Sequence, residues 1–259
     1  MGLTIHWHFQ GPKTKSEAKA VIERMRQRAM DLPFDSVGEI VQFKGPEARF
    51  DRDDRDEPCR WLKIQAGETV WNEDGRIGWD CPAKEIIGFQ ILVAPGSEPM
   101  EVFLATYPKT IMVEDEWTGK RKRLRTNRHD WSGGAFCKSQ YASNPEYGGV
   151  PNFLRAHLSV IRMLDYAKEL GILAEVSDEG EFWEKRDIKT LAGEVGSWNA
   201  MIGAFVGALD DTLGQKADSP IKNFPDFEHL EAKGQDQIDQ FLRMLKSTGK
   251  REATTTIPD

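Results

Sequence analysis

Apolar and polar positions alternate from residue 3 to residue 9. Leu3, Ile5, Trp7 and Phe9 fall on one side and Thr4, His6 and His8 on the other, the period of a half-buried strand. Gly11-Pro12 stops it. Thr14 and Glu17 then stand at capping-box spacing, and Ala18, Val21, Ile22, Met25 and Ala29 form the stripe of a helix that Pro33 ends. Residues 37–43 read as a second strand. A strand, a helix and a strand within about forty residues predict a βαβ unit with parallel strands and a right-handed crossover.

Residues 44–60 interleave Asp51, Asp53, Asp54, Asp56 and Glu57 with Arg49, Arg52 and Arg55, and read as a solvated loop inserted after that unit. From Trp61 to about Arg128 the period is two. Turn signals at Asn72-Glu73-Asp74-Gly75, at residues 94–99 and at Thr118-Gly119 divide the stretch into an antiparallel meander, with strands at 86–93 and 100–106.

The second half is helical. Gly133-Gly134 and Gly148-Gly149 bracket a short strand at 135–141. Pro151 suits a first helical turn. Phe153, Leu154, His157, Leu158, Ile161 and Leu164 make the stripe of the helix that follows, and Gly171 suits its C-terminal cap. Residues 172–176 return as a strand. A long amphipathic helix covers 188–209, a last one covers 235–246, and 247–259 read as a tail. The fold class is α+β: an N-terminal βαβ unit and a meander form a mixed sheet, and the C-terminal helices pack on it. One domain is expected over 1–246, β-rich to about 131 and α-rich beyond, with a division into two lobes near 132 as the alternative.

Composition narrows the function classes. The formal charge of −7, from 35 basic and 42 acidic side chains, argues against a nucleic-acid binder, which carries a net basic footprint. The longest apolar runs, 86–94 and 201–209, are about half of what a membrane-spanning helix needs. No basic stretch leads into an apolar one at the N-terminus, so no secretory signal is expected. Cys59, Cys81 and Cys137 are widely spaced, which points to reduced thiols and not to a cysteine zinc site. A soluble, cytoplasmic protein follows from these readings. Its oligomeric state does not.

The basic stretch Lys120, Arg121, Lys122, Arg123, Arg125 and Arg128 invites a phosphate-binding reading. A two-residue turn at Thr118-Gly119 gives a plainer one. It sets Glu116 against Arg121, Asp115 against Lys122, Glu114 against Arg123 and Val113 against Leu124. Opposite charges in consecutive pairs are a hairpin's own register device.

Four sets of residues carry candidate chemistry. His6 and His8 share a strand face at a spacing that suits a divalent metal, given a further ligand from elsewhere. The plainer reading is two hydrogen-bonded histidines. Cys137 and His157 lie in the short strand and the helix after it, where a thiolate beside an imidazole would be a nucleophile; a buried cysteine and a satisfied core histidine are the alternative. Lys138, Gln140, Asn152 and Arg155 surround a glycine-rich helix start that suits an acidic small molecule. Asp178, Glu179, Trp183 and Arg186 concentrate acids, a ring and a guanidinium in the loop at 177–187.

No catalytic set is complete, so the expected function is non-catalytic binding of a ligand or protein in a polar cleft near 137–155 and 177–187. An acidic small molecule or a protein is the expected partner, and no cofactor is required. The alternative is a hydrolase using a metal on His6 and His8, or the Cys137 and His157 pair. Trp7, Trp61, Trp71, Trp79, Trp117 and Trp131 lie in the β-rich half and read as sheet-packing residues, which leaves Trp183 as a ligand platform.

Overall fold

The computed structural model describes residues 3–51, 54, 56–57, 59–71, 77–114, 119–126, 130–213, 219–225 and 230. The chain opens with β1 (Thr4–Gln10), whose Ile5, Trp7 and Phe9 side is buried as the alternation requires. The helix α1 (Lys15–Met30) starts on a complete capping box: the Glu17 N–H donates to Thr14 Oγ1 at 3.2 Å, and the Thr14 N–H donates to Glu17 Oε2 at 3.1 Å. Its stripe of Ala18, Ile22, Met25 and Ala29 is buried. The second strand is broken into β2 (Ser36–Val37) and β3 (Val41–Lys44). The interruption falls at Gly38, where a Cβ would sit 3.0 Å from the Gln90 carbonyl oxygen.

Next come α2 (Arg60–Gln65), β4 (Glu68–Trp71), β5 (Gly78–Cys81), β6 (Glu85–Leu92) and β7 (Met100–Thr106). They are followed by β8 (Thr110–Glu114), β9 (Arg121–Arg125), β10 (Ser132–Lys138) and α3 (Gly149–Glu169). The last are β11 (Leu173–Asp178), α4 (Phe182–Lys185) and α5 (Ile188–Leu213). The class is α+β, as the patterning predicts.

A seven-stranded sheet has the order β11-β1-β10-β7-β6-β2, with β3 also on β6. Each of its ladders is antiparallel. β1 and the β2/β3 pair therefore run the same way, but β10, β7 and β6 lie between them. The helix α1 carries the chain across the sheet and not to a neighbouring strand. β4 with β5, and β8 with β9, form separate two-stranded ribbons. One hydrophobic cluster extends from Leu3 to Val195, and a small second one joins Ile221, Phe224 and Leu230.

The two faces of the sheet are covered differently. Helix α1 packs on β6 and β7, and α3 packs on α1 and β11. Lys15 of α1 is paired with Glu85, so this face carries Glu85, Ile87, Phe89, Val102 and Leu104. The short α2 packs on β6, β7 and β10. Its Lys63 ammonium lies 4.4 Å from the Phe43 ring centre. Phe43 pairs with Ile86 and Ile86 with Ala105, so α2 covers the face that carries Phe103 and Glu101.

Four sequence expectations change. Residues 60–65 are helical and not part of a period-two run, because Leu62 and Ala66, one turn apart, are buried together against the sheet. The loop before α2 is not simply solvated: Ala48 is buried, the Arg60 guanidinium lies 4.4 Å from the Phe50 ring centre, and Lys63 pairs with Glu57 at 2.8 Å in a nearly buried bridge. Gly133 and Gly134 lie inside β10 instead of bracketing it. A Cβ on Gly133 would come within 2.3 Å of the Phe103 carbonyl oxygen, so the glycine permits a close approach of backbones.

The fourth change is the hairpin register. Glu114 faces Arg121, Val113 faces Lys122, Met112 faces Arg123 and Ile111 faces Leu124. The connection is 115–120, not two residues. Both registers keep Ile111, Val113 and Leu124 on one side, and exposed charge pairs are too weak to choose between them. One ion pair remains, Glu114 with Arg121 at 3.2 Å, while Lys122 lies 4.8 Å from the Trp79 ring centre. Asp115, Glu116, Thr118 and Arg128 lie outside the described residues, as do the turn at 72–75, the helix expected at 235–246 and the tail at 247–259.

Candidate functional site

His157, on the buried stripe of α3, is held between two strands' ends. Its Nδ1 is 3.0 Å from Ser139 Oγ and its Nε2 is 3.2 Å from Asp178 Oδ2. Asp178 also accepts from the Gly180 N–H at 2.8 Å and the Trp183 N–H at 2.9 Å. Burial alone would raise the Asp178 carboxyl; the His157 bond and the two backbone donors outweigh it and hold the group below its ordinary value. The loops at 137–155 and 177–187 thus meet, but in a buried network. Ser139, His157 and Asp178 are the residue types of a hydrolase triad, yet all three are buried and none lines the cavities described below. The string ties β10, α3 and β11 together.

Cys137 and His157 are not joined. The Cys137 thiol donates to the Glu98 carbonyl oxygen at 3.3 Å and lies 3.6 Å from Ser97 Oγ, and burial pushes its pKa to about 12. At neutral pH it is a thiol, not a nucleophilic thiolate.

The side chains expected to bind an acidic ligand have internal partners. Gln140 is buried, accepts from the Leu3 N–H at 3.2 Å and donates to Asn199 Oδ1 at 2.9 Å. Asn152 donates to the carbonyls of Ala142 and Pro95. Arg155 clamps the Pro33 carbonyl at 2.9 Å and pairs with Asp35 at 3.0 Å, pinning α3 to the end of α1. The Lys138 ammonium lies 4.7 Å from the Tyr141 ring centre. Glu179 accepts from the Thr4 N–H at 2.9 Å. Arg186 makes a two-pronged pair with Asp165 and stacks 4.6 Å from the Trp183 ring centre. These contacts order loops and leave few free donors for a ligand.

His6 and His8 lie on the α2 side of β1. The His6 ring is 5.6 Å from that of Phe136, and the His8 Nδ1 lies beside Gly134. Among the described residues, no group of three or more His, Cys, Asp or Glu side chains is placed to hold a metal ion.

The two largest cavities described lie on either side of α2. One, of about 410 Å³, is bounded by Arg49, Phe50, Lys63, Thr69 and Asp80. The other, of about 390 Å³, is bounded by His6, Gln65, Gly134 and Phe136. Ile64 and Gly67 belong to both, so the cavities meet at the C-terminal end of α2. The second opens where the sheet is incomplete. β10 pairs with β7 at Ser132–Ala105, and further along the Phe136 N–H donates to Gln65 Oε1 at 3.1 Å instead of to a strand.

Two partly exposed tryptophans are neighbours of residues that line this trough, although neither lines a described cavity itself. Trp61 is 50% exposed and lies one turn before Ile64 and Gln65; Trp71 is 59% exposed and shares the β4 side of Thr69. The expectation that these rings pack the sheet is thereby corrected. Trp7 and Trp131 are buried as expected, and Trp183 is half-buried between Lys168 and Arg186.

Beneath α2 lies Glu101, fully buried on β7. Its Oε1 accepts from Gln90 Nε2 at 2.6 Å, and its Oε2 has no hydrogen-bond partner among the described residues. Burial raises its pKa to about 7, against the opposing effect of Gln90. The sequence did carry a signal for it: one acid inside the apolar run Met100-Glu101-Val102-Phe103-Leu104-Ala105 of a strand covered on both faces. Ser139 and Gln65 had no such signal, because polar residues at helix and strand ends are common, and Asn199 is one polar residue among several along the middle of α5.

A third cavity, of about 240 Å³, is lined by Ser97, Tyr141, Asn144, Tyr147, Asn223 and Phe224. It borders the 137–155 region, and none of the described residues lining it is charged. Among the described residues, no helix is long and apolar enough to cross a membrane. No protein-family model, curated protein or solved structure matches the chain.

Proposed function

We propose that this is a non-catalytic binding protein whose ligand or protein partner lies in the trough around α2. The observation that carries the reading is that the two largest cavities described share Ile64 and Gly67 in their walls, with half-exposed Trp61 on α2 and half-exposed Trp71 on the β4 side of the lining residue Thr69. Large rings left in water beside a concave surface are binding-site features, since their burial by a partner is favourable. The lining mixes apolar contacts with Arg49, Thr69, Asp80, His6 and Gln65, which favours a ligand with both apolar and polar parts. A hydrolase reading draws less support, because the Ser139, His157 and Asp178 string reaches none of the cavities described.

Anilinonaphthalene sulfonate is a suitable probe, with an apolar ring system and one anionic group. Its fluorescence is expected to rise saturably on the wild-type protein. Trp61→Ala and Trp71→Ala each weaken its affinity about three- to tenfold, the scale of an aromatic contact worth about 0.5–1.5 kcal/mol. Unchanged affinity in both variants overturns the assignment. A second reading places a small uncharged ligand among Tyr141, Asn144 and Tyr147, favoured by the uncharged lining there. It predicts that Tyr147→Ala, and neither tryptophan variant, weakens the probe.

A further inference from the structure

We propose that Glu101 is a proton-controlled latch for α2: the neutral acid keeps the helix seated on the sheet, and ionisation lifts it and opens the trough. The proposal deepens the reading of that trough as the binding site and rests on it for its functional meaning.

The geometry makes Glu101 a poor place for a charge. Its side chain is fully buried, and Oε2 has no donor among the described residues. The groups that face it from the surrounding elements do not supply a counter-charge. Gln90, beside it on β6, is a neutral donor. Of the cations of α2, Lys63 has its ammonium held by Glu57 at 2.8 Å, and Arg60 donates to the Asp51 carbonyl oxygen at 2.9 Å. Cys59, at the start of α2, has its thiol pushed up by its own burial and by Glu101. On the opposite face of the sheet, Cys137 is a neutral thiol, and Glu98 beside it adds negative charge. An ionised Glu101 therefore needs water, and α2 is an element packed on the face of the sheet that carries it.

The covering element is built to move. Helix α2 has six residues, Arg60–Gln65. Cys59 on its N-terminal side takes the left-handed conformation with φ 55°, which a non-glycine residue holds only under constraint. Gly67 follows on its C-terminal side. Cavities lie on both flanks, so little has to be displaced for the helix to rise. Several attachments oppose that movement: the buried Leu62 and Ala66 side chains, the Gln65 bond to Phe136, the Tyr107 hydroxyl donating to the Ala66 carbonyl oxygen at 3.0 Å, the Lys63 ammonium against the Phe43 ring, and the Lys63 and Arg60 bonds to the loop before the helix. Protonation of Glu101 decides whether they suffice. The sharing of Ile64 and Gly67 by both cavities makes the consequence local: once α2 rises, two shallow cavities become one groove.

The linkage fixes the direction. The lifted state lets the carboxyl ionise near its ordinary value of about 4.3, whereas the seated state holds the proton until about pH 7. Lifting therefore releases a proton between those limits and becomes easier by up to about tenfold per pH unit, then levels off above about pH 7.

Amide hydrogen exchange of the 60–66 segment, corrected for the intrinsic pH dependence of exchange, tests this on the full chain. The wild-type protein is expected to show at least tenfold more frequent opening of this segment at pH 7.5 than at pH 5.0. Glu101→Gln, which keeps the shape and removes the charge, is expected to show the same opening at both. Exchange in β1 and α3 reports whether the variant remains folded. A flat wild-type profile, or the same slope in the Glu101→Gln protein, overturns the latch. Binding of anilinonaphthalene sulfonate in parallel separates the two ideas. A pH-dependent segment with a probe that ignores Trp61 and Trp71 leaves the latch standing and removes the binding-site reading.

Discussion

Two buried carboxyls pull the stability of this protein in opposite directions with pH. Glu101 keeps its proton to about pH 7 in the folded chain and loses it near pH 4.3 when unfolded. Its stabilising effect is complete below the unfolded value and is lost as pH rises through the folded one. Asp178 is held below its ordinary value, so its effect is present above about pH 3.9 and is lost as pH falls through the lowered one. Urea unfolding is therefore expected to give a maximum between pH 4 and 5, flanked by an acid limb and a neutral limb. The wild-type protein should lose about 3 kcal/mol between pH 4.5 and 7.5, at about 1.4 kcal/mol per pH unit, and Glu101→Gln should abolish that limb alone. A neutral limb that persists in the variant refutes this assignment. Glu101 is an acid in an apolar strand, a signal that the reading of 100–106 as a strand passes over. That it is orphaned was not legible, because the neighbours of Oε2 come from distant elements.

Elements differ in how far their own residues define them. Helix α1 was readable almost to its ends, because the capping box and the apolar stripe are both local. Thr14→Ala should cost about 1 kcal/mol, measured as a fall in the urea midpoint with an unchanged slope. Helix α2 was not readable: six residues hold little more than one period, and the alternation on either side concealed it. It stays seated through contacts that no local pattern encodes. Gln65→Ala strips the Phe136 N–H of its partner, and should raise exchange of the 60–66 segment at pH 5.0 while lowering global stability by only about 1 kcal/mol. No change in that segment would mean that the amide bridge is not what holds it. The β8–β9 hairpin lies between these cases. Its existence and its faces follow from alternation, but a shift of two residues preserves both, so the charge pattern pointed to the wrong register.

Across the whole molecule, the His157 network joins parts that are far apart in the chain. It links the end of β10, the middle of α3, the end of β11 and the turn into α4. Asp178→Ala leaves His157 and two backbone donors without their acceptor in a buried setting. A loss of about 3–5 kcal/mol is expected, read from the urea midpoint at pH 7. A cost below about 1 kcal/mol would show that the network is dispensable. The same network explains why the polar residues near 137–155 and 177–187 looked like a binding cleft. His157 and Asp178 meet across the two regions, whereas Gln140, Arg155, Glu179 and Arg186 bond to residues outside them, and a polar side chain used to satisfy such a partner looks the same in sequence as one awaiting a ligand.

The sequence by itself determined the α+β class, the buried face of β1, helices α1, α3 and α5, and the β6–β7 pair. Each rests on a period or a cap within a few turns of chain. The tertiary structure alone decided the strand order, because α1 can lead to a neighbouring strand or to the far side of the sheet with the same residues. It also decided which tryptophans are covered, which polar groups are satisfied, and where the open surface lies. Those properties depend on contacts between elements tens of residues apart. The apolar pattern says that a face must be buried and leaves open what buries it. That is why Glu101 comes to lie on the face that α2 covers, and Trp61 and Trp71 stay exposed, only once the chain has folded.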